Sequence, residues 1–116
     1  MLNDSILDTI KKLLGIMPEF TEFDVDIIAN INASFDKLKQ AGVGSPMFVL
    51  TSNKEKWKDF VDYDYYSYCG MVVRFVFLDV KRTWDTSNSS LASVYKEELN
   101  ELIWRLNIQV DPKNRF

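Results

Sequence analysis

The feature that most constrains the fold is a long apolar run at residues 65–84, YYSYCGMVVRFVFLDVKRTW. Its β-branched and aromatic residues would suit a strand, but strands usually have about 4–8 residues, and no proline or paired turn signal divides this run. Arg74 and Asp79 interrupt it, so it is unsuitable as a membrane span of about 20 predominantly apolar residues. We therefore predict a buried helix about 30 Å long, with amphipathic segments packed around it.

Two amphipathic helices are predicted before this run. The first starts after an N-cap at one of the polar residues 3–5 and ends at Gly15. The second starts within residues 21–24 and ends before Gly42, which can adopt the left-handed conformation that terminates helices. Their predicted inward faces consist of Ile6, Leu7, Ile10, Leu13 and Leu14 in the first helix, and of Val25, Ile27, Ile28, Ile31, Phe35 and Leu38 in the second.

One helix is predicted after the run, from residue 91 to about residue 106, with Asn107 as a possible cap at its end. Glu101 and Arg105 form an i, i+4 pair of favourable polarity on its surface. Its predicted inward face consists of Leu91, Val94, Tyr95, Leu99, Leu102, Ile103 and Leu106.

The remaining segments are predicted to be mainly extended. Residues 47–50 follow a Gly and Pro-containing turn and are too few for a helix, and residues 108–116 form a C-terminal tail. Between them, the spacing of Trp57, Phe60 and Val61 predicts a single helical turn held against the core. The predicted fold is therefore mainly α, a compact bundle of about four helices in a single domain over residues 1–116, with a short extended segment and an extended tail.

The composition argues against most enzyme classes. The chain has no histidine and a single cysteine, Cys69, so the usual nucleophile–base pairs and zinc sets cannot be assembled. Cys69 is expected to be a core residue, and no cofactor or metal is expected. Two pairs of nearby carboxylates, at residues 24 and 26 and at residues 62 and 64, are not expected to be catalytic, because residues two positions apart do not face each other on a helix and such pairs are usually solvated on a loop.

The charge balance argues against specific nucleic-acid binding. The formal net charge is −3, and the 14 basic residues are spread along the chain rather than gathered in a stripe. Tyr63, Tyr65, Tyr66 and Tyr68 could in principle stack on single-stranded bases, but their neighbours are acidic, which favours a core or subunit interface. The N-terminal residues lack the order of a secretory signal, so we expect the protein to stay in a reducing cytoplasm.

Four motifs carry a resemblance to a known family. They are ILDTIKKLLGI near the N-terminus, FDxDIIxxINxxFxxLxQxGVG at residues 23–44, WxDF at residues 57–60 and ELxWRLNxQVD at residues 101–111. In this order and at these separations, they resemble the small head-tail connector proteins of tailed bacteriophages and prophages. The resemblance covers nearly the whole chain, and none of the motifs is a catalytic signature.

The resemblance implies a structural role in virion assembly. Such proteins form a ring, typically a dodecamer, beneath the portal after DNA packaging, extend the DNA channel and present a surface to the next head-completion or tail component. The implied partners are other copies of the chain, the portal protein, that next component and passing genomic DNA without sequence specificity, with no membrane. The implied location is the virion, with assembly in the bacterial host cytoplasm. A second hypothesis is a small non-enzymatic binding or regulatory module that acts as a monomer or dimer.

The two predicted extended segments are the expected contact regions. A strand with unpaired backbone groups should pair within the chain or be completed by a neighbouring subunit. The candidate residues for the subunit or portal interface are Met47, Phe48, Val49, Leu50, Trp57, Phe60, Ile108, Val110, Arg115 and Phe116.

Overall fold

The computed structural model describes residues 1–61, 67–84 and 89–110. Within these ranges the chain is mainly helical and contains no β-strand, which confirms the predicted fold class. The helices of these ranges are, in chain order, α1 (Ile6–Leu13), α2 (Asp24–Gln40), α3 (Trp57–Phe60), α4 (Cys69–Trp84) and α5 (Ser89–Val110).

Helix α4 forms the centre of the fold, as the apolar run predicts. Helices α1, α2 and α5 all pack against it, and Val72, Val76 and Val80 on it are fully inaccessible to solvent. The helix begins later than predicted, at Cys69 after a 3₁₀ turn at residues 67–68, whereas residues 62–66 lie outside the described ranges. Its 16 residues span about 24 Å. The Cys69 side chain is buried as predicted, and burial raises the pKa of its thiol.

Helix α1 agrees with the sequence pattern except at its last residue. Ser5 is the N-cap, one of the three candidates, and its hydroxyl accepts a hydrogen bond from the backbone N–H of Asp8 at 3.2 Å. Leu13 was expected to face inward but is 46% exposed, because it lies in the last turn and lines an open surface hollow. The buried residues of α1 are Ile6, Leu7, Ile10 and Lys11.

Lys11 ties α1 to the connector that leads into α2. Its side chain is fully buried, and Nζ donates hydrogen bonds to the carbonyl oxygens of Pro18 at 2.9 Å and Phe20 at 2.7 Å. Oδ1 of Asp24 lies 2.8 Å from the same Nζ but without hydrogen-bond geometry, so this contact is a charge pair. A buried ammonium requires such partners. Lys11 therefore fixes the path of residues 18–24.

Helix α2 starts within the predicted window and buries most of the predicted face. Ile27, Ile31, Phe35 and Leu38 are fully buried. Val25 is 80% exposed, so its predicted inward position is wrong. At about 100° per residue, Val25 lies about 200° around the helix from Ile27, and the helix packs on α4 along the opposite side.

Helix α2 ends in a Schellman motif. Gly42 has φ of 83°, the left-handed conformation expected from the sequence. The N–H of Gly42 donates to the carbonyl of Lys39, and the N–H of Val43 donates to the carbonyl of Leu38, both at 2.9 Å. Val43 and Leu38 are both buried, so the apolar contact typical of this motif directs the chain back towards the core.

The loop after α2 is held by a cluster of four aromatic rings. Phe35 and Phe60 stack with ring centroids 3.9 Å apart, and Phe48 and Trp57 pack edge-on against Phe35 at 5.7 and 6.2 Å. Trp57 and Phe60 are fully buried, which confirms the predicted single helical turn, α3. The indole N–H of Trp57 donates to the hydroxyl of Thr9 at 3.2 Å and joins α3 to α1.

Residues 48–50 do not form a strand, and they do not pair with residues 108–110, which are helical. The side-chain amide of Asn32 accepts a hydrogen bond from Leu50 N–H at 2.9 Å and donates to Leu50 C=O at 3.0 Å. The carbonyl of Phe48 accepts a hydrogen bond from Lys39 Nζ at 2.7 Å. Side chains of α2 therefore satisfy backbone groups for which we expected a strand partner.

Helix α5 is longer than predicted at both ends. It extends to Val110, so the prediction that residues 108–110 are extended is wrong. Asn107 does not end the helix, because its side chain donates to the carbonyl of Ala41 at 3.0 Å and anchors α5 to the end of α2. Neither Gly nor Pro occurs between Asn107 and Pro112, so this stretch contains no helix-breaking residue.

Candidate functional site

The first candidate surface is formed by Met47 and Val49, which we call the loop ridge. Met47 is 87% exposed and Val49 is 59% exposed. Phe48, between them, packs its ring 5.8 Å from that of Phe60 and is only partly exposed. The loop ridge is therefore a pair of apolar side chains held outward by a segment that is anchored to the core.

The turn that follows the loop ridge is organised by Glu55. Its carboxylate accepts hydrogen bonds from the backbone N–H and the hydroxyl of both Thr51 and Ser52. Burial by itself would raise the pKa of Glu55, but these hydrogen bonds to the ionised form outweigh it and lower the pKa from 4.5 to about 2. The Glu55 carboxylate is thus ionised at neutral pH and can accept all four hydrogen bonds of the turn.

The structure separates the other predicted interface residues into groups. Leu50, Trp57 and Phe60 are core residues, at most 1% exposed, so within a single chain they support the loop ridge from beneath. Ile108 is half-buried on α5, and Val110 is the last residue of that helix. Arg115 and Phe116 lie outside the described ranges.

A second candidate surface is an open cleft of about 820 Å³ between the end of α2, the middle of α4 and the exposed side of α5. We call it the basic cleft, because Lys37, Arg82 and Lys96 lie in its wall and Asp79 is the acidic residue among its lining. Trp104, 63% exposed, lies on its α5 side. The other lining residues are Gln40, Ala41, Phe75, Leu99, Asn100, Ile103 and Asn107.

Asp79 in the basic cleft is nearly inaccessible to solvent and fully paired. Ser34 donates to one carboxylate oxygen at 2.6 Å, Lys37 contacts both oxygens at 2.9 and 3.0 Å, and Arg82 donates at 2.9 Å. Burial alone would raise the pKa of Asp79, but these three partners outweigh it, and the net effect lowers the pKa. Two cations face one buried anion, so this part of the cleft has a surplus of positive charge.

A third candidate surface lies at residues 17–26, MPEFTEFDVD, which we call the acidic aromatic patch. This segment has four acidic residues and no basic one. Phe23 packs against Phe20 at 5.6 Å and against Trp84 of α4 at 5.4 Å between ring centroids. The apolar residues at this surface are substantially exposed, namely Met17, Phe20, Phe23, Val25 and Trp84.

Neither the basic cleft nor the acidic aromatic patch was identified as a site from the sequence. The basic cleft combines residues from three helices that are up to 70 positions apart, from Lys37 to Asn107, and no local pattern signals it. The acidic aromatic patch does have a local signal, the alternation of acidic and apolar residues in residues 19–26.

The described ranges contain neither a metal-binding cluster nor a membrane-spanning helix. In the ranges that the structure describes, no group of three or more Cys, Asp or Glu side chains is placed to hold a metal ion. Across the same ranges, no helix is both long enough and apolar enough to cross a membrane.

The described features are those of a small helical protein whose distinctive surfaces are suited to contacts with other macromolecules. The chain belongs to the phage connector protein family, whose model matches residues 6–113. This match confirms the resemblance carried by the four sequence motifs, and it assigns the chain to a family with a structural role. No curated protein and no solved structure matches the chain.

Proposed function

We propose that this protein is a head-tail connector subunit that assembles into a ring under the portal, extends the DNA channel and joins the capsid to the tail. Membership of the phage connector protein family carries this proposal. In the proposed role the protein acts as a scaffold, without a catalytic residue or cofactor. It works at the head-tail junction of the virion, and the subunits are assembled in the host cytoplasm.

The loop ridge supports the proposal as a contact with a neighbouring subunit or with the portal. Covering apolar side chains as exposed as Met47 and Val49 with a partner removes apolar surface from water, which favours binding. The buried residues Leu50, Trp57 and Phe60 hold the ridge in place, so little conformational entropy is lost on binding.

The test is the double variant Met47→Lys, Val49→Lys, in an assembly assay with purified portal rings. Both positions are exposed, so the variant should remain folded by circular dichroism. We expect its assembly on portals to weaken by about tenfold or more, because two charges would enter an apolar contact. Phe48 is left unchanged, since its ring belongs to the aromatic cluster.

A matched control adds the same charge elsewhere. Asn53→Lys, Ser93→Lys changes two exposed polar positions and should assemble like the unmodified protein. Normal assembly of the Met47→Lys, Val49→Lys variant would exclude the loop ridge as a contact. Failure of the unmodified protein to join portal rings, with a mass that stays that of a monomer or dimer, would instead favour a small binding module.

A further inference from the structure

We infer that the acidic aromatic patch of one subunit docks into the basic cleft of the next subunit. The inference rests on the proposed function, since it names the two surfaces that would join adjacent copies in a ring. The occupant of the cleft is thus a second copy of this chain.

The acidic aromatic patch exposes both negative charge and apolar surface. Glu19, Glu22 and Asp26 are exposed, whereas Asp24 is matched by Lys11 within the chain. Among the described residues, no basic side chain forms an ion pair with those three exposed carboxylates. Val25, 80% exposed, stands beside them. The patch is therefore complementary to a partner that is both cationic and apolar.

The basic cleft has the complementary properties. Lys37 and Arg82 together carry one more positive charge than Asp79 neutralises, and Lys96 adds another from the exposed side of α5. Trp104 gives the same cleft a large exposed apolar surface. Complementary charge of this kind orients two proteins as they meet and sets the register of their contact.

The two surfaces lie at different places along α2, as a ring requires. The patch occupies the first turn of α2 and the preceding connector, and the cleft uses Lys37, Gln40 and Ala41 at its other end. Thirteen residues of helix from Asp24 to Lys37 correspond to about 20 Å. A contact between two different surfaces of identical chains is head to tail, and it closes into a ring when the rotation between copies permits.

The test is a charge exchange in the full-length protein, measured as assembly on purified portal rings. Glu22→Lys alone and Lys96→Glu alone should each raise the protein concentration needed for half-maximal assembly by about fivefold, because each places like charges across the contact. The chain that carries both changes should recover most of the lost assembly, since Lys at position 22 would then face Glu at position 96 of the next copy. Lys54→Glu, an exposed charge change outside both surfaces, should have no effect.

Cross-linking gives a second measurement that depends on position rather than on charge. Native Cys69 is only 3% exposed, so it should not compete with introduced cysteines. On portals, a chain with Glu22→Cys and Lys96→Cys should form a ladder of covalent oligomers under oxidation. A chain with Lys54→Cys and Lys96→Cys should not.

The outcomes separate this inference from the proposed function. Single charge variants that assemble normally, together with no ladder, would overturn the docking of patch into cleft and leave the connector role intact. Weakened single variants without recovery in the double variant would show that these surfaces meet a partner other than each other, and would also overturn the inference. If the unmodified protein does not assemble on portals, the proposed function itself fails.

Discussion

At the scale of single residues, two buried charges hold the helices in register. Lys11 joins α1 to the start of α2, and Asp79 joins the middle of α4 to Ser34 and Lys37 on α2. Apart from Arg82, which lies on α4 with Asp79, these partners come from another element or from the connector before α2, so the pairs fix how elements meet rather than how each helix forms. The sequence alone identifies neither pair, because Ser34 and Asp79 are 45 positions apart.

Removal of the Asp79 charge gives a prediction with a defined pH dependence. We expect Asp79→Asn to lower the free energy of unfolding by about 1–3 kcal/mol at pH 7, because three donors lose an ionised acceptor. The folded-state pKa lies below its usual value of 3.8, so this contribution is complete above that value. It is lost as the pH falls from the unfolded-state pKa through the lower folded-state pKa.

Urea denaturation at pH 7 and at several values below pH 4 measures this difference. The difference in the free energy of unfolding between the unmodified protein and Asp79→Asn should decrease as the pH decreases. Asp36→Asn is the control, since the Asp36 side chain is 70% exposed and its ion pair with Lys39 is 3.7 Å long. This control should change stability by less than about 1 kcal/mol. A gap that widens in acid would contradict the assignment.

Gly44 offers a second prediction at this scale. Its φ is +83°, and a Cβ at this position would lie 2.3 Å from the ring of Phe60. Gly44→Ala therefore combines backbone strain with displacement of a ring that stacks on Phe35, and we expect the free energy of unfolding to decrease by about 2–4 kcal/mol.

Gly70→Ala is the control, because nothing lies within 4 Å of its Cβ and it is part of α4. It should be neutral or stabilising by up to about 1 kcal/mol. Thermal denaturation of both variants tests this difference, and equal melting temperatures would show that Gly44 is not required for stability.

At the scale of elements, helical periodicity was sufficient to predict which segments form helices and most of the residues of α2 that face the core, with Val25 as the exception. Periodicity was less able to predict where helices end and which residues form the exposed surfaces. The extension of α5 to Val110 was missed because no helix-breaking residue precedes Pro112 and because we expected Asn107 to act as a cap. Its side chain binds Ala41 instead, a contact made 66 positions away in the chain.

The same limit applies to the candidate site. An apolar run such as residues 47–50 indicates a non-helical segment, but not which of its side chains are covered. Hydrogen bonds from Asn32 and packing on the aromatic cluster hold this segment so that Leu50 is buried while Met47 and Val49 are exposed. These neighbours come from α2 and α3, so burial within the loop depends on tertiary packing that no local pattern specifies.

The central position of α4 is tested by a charge within it. Val76 is fully buried, so Val76→Asp should place an unpaired carboxylate in the core and cost several kcal/mol, enough to unfold a domain of ordinary stability. Val25→Asp introduces the same side chain at a position that is 80% exposed and should leave the protein folded. Circular dichroism of the two purified variants provides the comparison. A folded Val76→Asp variant would show that α4 is not the core of the protein.

At the scale of the whole molecule, charge is distributed in a way that suits contact with protein more than with DNA. The chain has 17 acidic and 14 basic residues, and many of the basic side chains already contact carboxylates of the same chain. Within the described ranges, these internally paired cations are Lys11, Lys37, Lys39, Arg74, Arg82 and Arg105. The positive charge that remains at the basic cleft is limited to that open cleft and does not continue as a long stripe.

The isolated protein should therefore bind duplex DNA weakly and without sequence preference. Affinity for DNA comes mainly from cations that displace counterions from successive phosphates, and a net charge of −3 without a basic stripe supplies few of them. Fluorescence anisotropy with labelled duplexes of unrelated sequence should give equal, weak binding at about 50 mM salt that disappears by about 200 mM. A channel through which a genome slides would gain nothing from binding particular bases tightly.

Lys96→Glu should reduce the residual low-salt binding if the basic cleft causes it, while Lys54→Glu serves as the matched charge control. Retention of one defined duplex over the others at 200 mM salt would contradict this expectation and would require a base-reading surface that the charges described here do not provide.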